Sequence, residues 1–153
     1  MYRRILVPLE AEGGPDAHLR HVERLAAHVG AEVVLLRVIP VVSADEHFFQ
    51  AIQVEEGSSG ARRSDVAREY LDRLVAQLRE KGLSVRSEVL ITSKPEDEAI
   101  VEFAQEQGCD LIALPNERRS LISRWLQGNV PARVQRRSPV PILLVRGVKG
   151  GGG

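Results

Sequence analysis

Five short apolar runs, each parted from the next by a segment of helical spacing, constrain this chain more than any other feature it carries. The runs fall at 5–9, 33–39, 85–91, 111–114 and 140–145. Four of them are close to continuous, the pattern required of strands in a parallel sheet covered on both faces. The third, "VRSEVLI", alternates: Arg86 and Glu88 interleave with Val85, Ser87 and Val89, which suits an edge strand with one face partly wet.

The intervening segments predict helices. Over 15–29, Leu19, Val22, Leu25, Ala26 and Val29 make one apolar face, with Pro15 suited to the first turn and Gly30 to the stop. Over 65–80, Ala67, Tyr70, Leu71, Leu74, Val75 and Leu78 repeat at helical spacing, and Gly82 follows. "SKPE" at 93–96 has capping-box spacing, and Glu96, Asp97 and Glu98 set negative charge at the positive end of a helix. Ala99, Ile100, Phe103, Ala104 and Gln107 then share a side, Gly108 ends that element, and a last short helix is expected over about 129–137. The resulting order, β-α-β-excursion-α-β-α-β-α-β, argues for a single doubly wound α/β domain with right-handed crossovers and helices on both faces.

Length and composition agree. A chain of 153 residues suffices for one domain and buries roughly two-thirds of its unfolded surface. Its 21 basic and 21 acidic residues cancel, so bulk charge offers nothing toward nucleic acid or a membrane surface. The single cysteine, Cys109, excludes an intramolecular disulfide and fits a reducing, cytoplasmic setting. The opening "MYRRILVPLE" holds too short an apolar run for a signal peptide or a membrane span. The domain is expected over 1–147, with a glycine-rich disordered tail at 148–153 and a variable excursion at about 40–64 containing "EEGSSGARR". Phe48 and Phe49 are the large aromatics of that excursion.

Catalytic signals are sparse. His18, His21 and His28 fall on one helical flank, but the spacing is loose and no further ligand is evident, so a solvated flank is expected and no metal site. Cys109 lies between a helix-ending glycine and a strand, where an inert buried thiol is expected. Glu55–Glu56 reads as solvated charge, and no Walker, G-x-G-x-x-G or G-x-S-x-G pattern occurs. Geometry offers more. In open α/β sheets a ligand sits beyond the carboxyl ends of the strands, where the strand order reverses. If the first strand is central, "VPLE" at 7–10 and "LPNERR" at 114–119 end side by side there, and a helix opening near Asn129 aims free N–H groups at an anion.

At these residues the chain resembles the universal stress protein family. "RILVPLE", "GAEVVLLRVI", "EDEAIVEFAQEQGCDLIALP" and "GNVPARVQRRSPVPILLVR" carry the resemblance in order along nearly the whole chain. It implies a five-stranded parallel sheet of order 3-2-1-4-5, a homodimer through the last strand, and a division between members that bind ATP and members that do not. ATP-binding members carry G-x2-G-x9-G-[ST] after the fourth strand. By position, the first glycine is Pro115 here, the second is Arg118, the third is kept as Gly128, and the hydroxyl residue is Asn129. The family's aspartate after the first strand is Glu10.

These departures have physical weight. Glycine allows close backbone approach and positive φ, whereas Pro115 allows neither positive φ nor an N–H. Arg118 brings a long side chain where bare backbone would fit. Asn129 is expected to cap the last helix but lacks the hydroxyl. Against this stand Arg118, Arg119 and Arg124, since arginine holds phosphate well through its own side chain.

The candidate crevice therefore comprises Pro8, Leu9, Glu10, Pro115, Arg118, Arg119, Gly128, Asn129 and Val130. The last strand adds a separate argument, because a long apolar edge is an aggregation hazard unless paired. Closure with a second copy through Val140, Ile142 and Leu144 is expected, with Pro141 placed where no ladder donor is needed. The expected function is that of a non-enzymatic regulatory or interaction protein that does not bind ATP in the family manner and needs no cofactor. Its partners would be proteins or a small anion. The alternative is a small-ligand or nucleotide sensor using an arginine-rich anion site at the ends of the first and fourth strands.

Overall fold

A computed structural model describes residues 1–10, 17–41, 60–116, 125 and 128–146. In chain order the elements are β1 (Arg4–Leu9), α1 (Ala17–Val29), β2 (Glu32–Pro40), α2 (Gly60–Glu80), β3 (Ser84–Thr92), α3 (Glu96–Glu106), β4 (Leu111–Pro115), α4 (Val130–Arg137) and β5 (Ile142–Val145). The five strands form one parallel sheet in the order β3-β2-β1-β4-β5. Each of the first four strands is followed in the chain by a helix and then by the next parallel strand; α1 and α2 cover one face and α3 and α4 the other.

The apolar runs segregate by the twofold period of a strand. Ile5, Val7 and Leu9 point into the layer shared with α1 and α2, where they meet Leu19, Val22 and Leu71. Leu6 points the other way, with Val34, Leu36 and Val38 of β2, into the layer built by Ile100, Ala104 and Val134. Burying each such branched side chain is worth about 1.5–3 kcal/mol. The central strands β1, β2 and β4 are buried on both faces, as their near-continuous apolar runs require. The alternating run forms edge strand β3, where Glu88 is exposed and Val85 buried. At the amino ends of the strands, Asp110 stitches β1 to the approach of β4 by accepting from the N–H groups of Arg3 (2.9 Å) and Arg4 (3.1 Å).

Gly30 stops α1 as expected. Its φ of +75° lets its N–H return to the Ala26 carbonyl at 2.8 Å, and Ala31 donates to the same carbonyl at 3.2 Å. Gly82 and Gly108 end α2 and α3 in the same left-handed conformation.

Three expectations need correction. First, α2 begins at Gly60, so the end of the predicted 40–64 excursion is helical. The rest of that excursion from 42 on, with Phe48 and Phe49, lies outside the described residues, as does the tail from 147. Second, "SKPE" is not a capping box. Pro95 occupies the cap position with extended backbone (φ −57°, ψ 147°), and no side chain caps the helix. A residue before proline is pushed out of the α region, so the helix cannot reach back to Ser93, and Glu96 becomes its first residue. Third, β5 starts at Ile142 and not at residue 140. Val140 is held in a turn, donating its N–H to Ser138 Oγ at 2.9 Å and accepting from the same hydroxyl at 2.8 Å. Pro141 has no N–H to give the ladder, but its carbonyl accepts from Ile112 at 3.0 Å.

Candidate functional site

The first and fourth strands lie side by side, with Ile5 opposite Leu111 and Leu6 opposite Ile112. The same register carried forward sets Leu9 level with Pro115, so the crevice opens above that pair. Pro8 and Leu9 are buried there, while Glu10 and Pro115 are half-buried. Prolines at 8 and 115 remove two backbone donors from this rim. A third rim amide, that of Asn116, donates to the Val145 carbonyl at 2.8 Å. The Pro8 carbonyl accepts from His18 Nε2 at 2.9 Å. His18 therefore corrects the expected solvated histidine flank: four residues before Val22, it shares the inward face of α1 and is 1% exposed. His21 and His28 are exposed as expected.

The residue that most defines the crevice was not among those predicted. Trp125, the one tryptophan of the chain, is 1% exposed. Its indole joins the apolar layer of Leu6, Leu36, Val38, Ile100 and Leu114. Its backbone N–H donates to Glu10 Oε2 at 3.3 Å, and its Nε1–H donates to Glu96 Oε2 at 2.8 Å. The residue thus links the end of β1 to the head of α3, its backbone N–H on the Glu10 carboxylate and its indole on that of Glu96. Glu10, expected to line the crevice, accepts this backbone N–H. A buried indole with a satisfied N–H is a packed residue rather than an open platform. Its signal in the sequence is a lone large aromatic following Arg118, Arg119 and Arg124, whose charge dominates that stretch.

At the head of α4, Gly128 and Asn129 precede Val130, which packs on the layer containing Trp125. Asn129 does not cap the helix with its side chain. Its backbone is left-handed (φ 58°, ψ 34°), and only its carbonyl enters the helix, accepting from Arg133 at 2.9 Å. An asparagine N-cap ordinarily holds extended backbone, which aims its side chain at the first amides; the left-handed turn removes that aim. Asparagine nonetheless tolerates this region better than other residues with a Cβ. Arg118, Arg119 and Arg124 lie outside the described residues.

The ends of β1 and β4 thus carry Pro8, Leu9, Glu10 and Pro115, and Trp125 and the head of α4 pack on the α3/α4 side of the sheet, with Glu10 bonded to the Trp125 backbone. Cys109 begins the approach to β4, at the opposite end of that strand. It is buried, and burial pushes its thiol up to about 11, well above the range of a nucleophile. Among the described residues no three or more histidine, cysteine or acidic side chains are grouped to hold a metal ion. None of their helices is long and apolar enough to cross a membrane.

Comparison with known proteins agrees with this architecture. The model of the universal stress protein family matches residues 1–146. A universal stress protein of Methanocaldococcus jannaschii is 22% identical, the match covering 95% of this chain and 96% of that protein. One of Mycobacterium tuberculosis is 28% identical over 94% of this chain and 96% of that one. The solved structure of the M. jannaschii protein superposes with a TM-score of 0.74 at 23% identity, covering 97% of this chain and 99% of the other. The Archaeoglobus fulgidus universal stress protein in complex with dAMP superposes with a TM-score of 0.64 at 20% identity, covering 94% of this chain and 97% of the other. With the family's model spanning the whole sheet and the fold shared throughout, this chain belongs to the universal stress protein family.

Proposed function

We propose that this protein is a regulatory or interaction member of its family, not an enzyme, that does not bind ATP in the family's usual manner. Trp125 carries this reading: its indole is buried in the α3/α4 layer, and its backbone N–H occupies Glu10, the residue at the family's aspartate position. Pro115 in place of the first loop glycine supports it, because a proline rim offers no amide to a phosphate. The protein acts in the cytoplasm as a homodimer closed through β5. That strand is a sheet edge whose Ile142, Leu143 and Leu144 are only half-buried, although its apolar content matches that of a central strand.

A second reading, a nucleotide sensor using the crevice, draws on two structural neighbours. One is the A. fulgidus protein carrying dAMP, and the other is a universal stress protein in complex with cAMP (TM-score 0.61, 23% identity). Titrating nucleotide-free protein with ATP and magnesium while following the indole of Trp125 separates the two. The closed crevice predicts an unmoved Trp125 Nε1–H resonance and unchanged emission. A saturable shift of that resonance at micromolar ATP overturns the first reading in favour of the second.

A further inference from the structure

Between α3 and α4 an open pocket of about 510 Å³ is lined by Pro95, Asp97, Arg133, Arg136 and Arg137. Arg133, Arg136 and Arg137 are three and four residues apart on α4, so they share one face of that helix, opposite the buried Pro131 and Val134. Asp97 is 4% exposed and accepts from Arg137 Nε at 3.0 Å, which neutralises one guanidinium. Arg133 and Arg136 make no ion pair or side-chain hydrogen bond among the described residues and are exposed. The pocket therefore carries two uncompensated positive charges within one helical turn.

Such an arrangement costs stability on its own, because like charges at this spacing repel. Arg136 and Arg137, in the last turn, complement the negative end of the α4 dipole. Arg133 lies a turn earlier and has no such reason to be basic. The concavity is of the size that takes a small molecule. Guanidinium forks from neighbouring turns match the several oxygens of a phosphate group and bind it through charge-assisted pairs. We propose that this pocket is a binding site for the phosphate groups of a small ligand. Arg133 and Arg136 make the direct contacts, and Asp97 positions Arg137 as the third wall. The site shares no residue with the crevice and stands whether or not the crevice is closed.

The test is a titration of the ¹⁵N-labelled full-length protein at low ionic strength with pyrophosphate, following the arginine Nε–H resonances. The expected result is a saturable shift at Arg133 and Arg136. Arg133→Ala/Arg136→Ala should weaken binding about tenfold or more, since each loses a charged contact; both positions are exposed helix sites where alanine preserves the fold. Asp97→Asn frees Arg137 from its carboxylate and should tighten binding about threefold. Parallel titrations with inorganic phosphate and with ATP identify the source: equal affinity for phosphate supports a free anion, and tighter binding of ATP through the same arginines supports a nucleotide's phosphate chain. No saturable shift, or equal affinity in the double variant, overturns the proposal while leaving the closed crevice intact. A response confined to the Trp125 indole overturns both.

Discussion

Replacing Trp125 by alanine is the sharpest perturbation the crevice allows. The side chain is almost wholly buried, and its removal leaves a cavity among Leu6, Leu36, Ile100 and Leu114. Such truncations cost about 3–5 kcal/mol. Losing the Nε1–H bond to Glu96 adds about 0.5–1.5 kcal/mol at most, because Glu96 is half-buried and water can replace the indole. Trp125→Phe separates the two contributions, keeping most of the ring and removing the donor. In urea unfolding, with a slope of about 2 kcal/mol/M, the alanine variant should lose roughly 1.7–3.3 M in midpoint. The vacated space should then accept a purine. At a hundred times its dissociation constant, an adenine nucleotide returns about 2.7 kcal/mol to the alanine variant and nothing comparable to the parent. A loss below about 1 kcal/mol for Trp125→Ala, or equal nucleotide stabilisation of parent and variant, refutes the idea that the indole closes the crevice.

Other predictions follow from single features. Ile142→Asp with Leu144→Asp charges one face of the edge strand and should convert a dimer to a monomer by sedimentation velocity; an unchanged mass removes β5 as the interface. Cys109, with its thiol at about 11, holds only about one part in ten thousand as thiolate at neutral pH, so iodoacetamide should label folded protein far more slowly than urea-unfolded protein. Asn129→Ala should cost roughly 1–2 kcal/mol for its left-handed backbone, whereas Asn129→Gly should be neutral or slightly stabilising in the same unfolding assay. Gly30→Ala should lose a similar amount; the added Cβ meets nothing within 4 Å, so the whole loss is backbone strain.

The strand pattern was legible because burial on two faces demands continuous apolar runs, and an edge permits alternation. Runs at 5–9, 33–39 and 111–114 became central strands, and the interrupted "VRSEVLI" became an edge. The last run misled in one respect. "VPILLV" is the sheet edge expected of it, but β5 starts only at Ile142, because Pro141 cannot donate and Ser138 holds Val140 in a turn. Caps were less legible than cores. "SKPE" has the spacing of a capping box, but spacing says nothing about the extended backbone that Pro95 imposes on its neighbour. Asn129 has the composition of a cap, yet its left-handed turn points the side chain elsewhere.

At the site, chemistry and neighbourhood come apart. Pro115, Arg118 and Glu10 are covalent facts, present in the chain before it folds. The partners of Glu10 are not. That carboxylate is separated by more than a hundred residues from the tryptophan amide it accepts, and only the parallel crossover that sets β1 beside β4 brings them together. The same holds for Asp97 and Arg137, forty residues apart and joined where α3 packs on α4. Local propensity and periodicity act over a few residues, so the sequence alone determined the elements and the family. Pairing between distant side chains depends on the closed sheet, so only the tertiary structure decided that Trp125 stands in the crevice and that three arginines of α4 share a pocket.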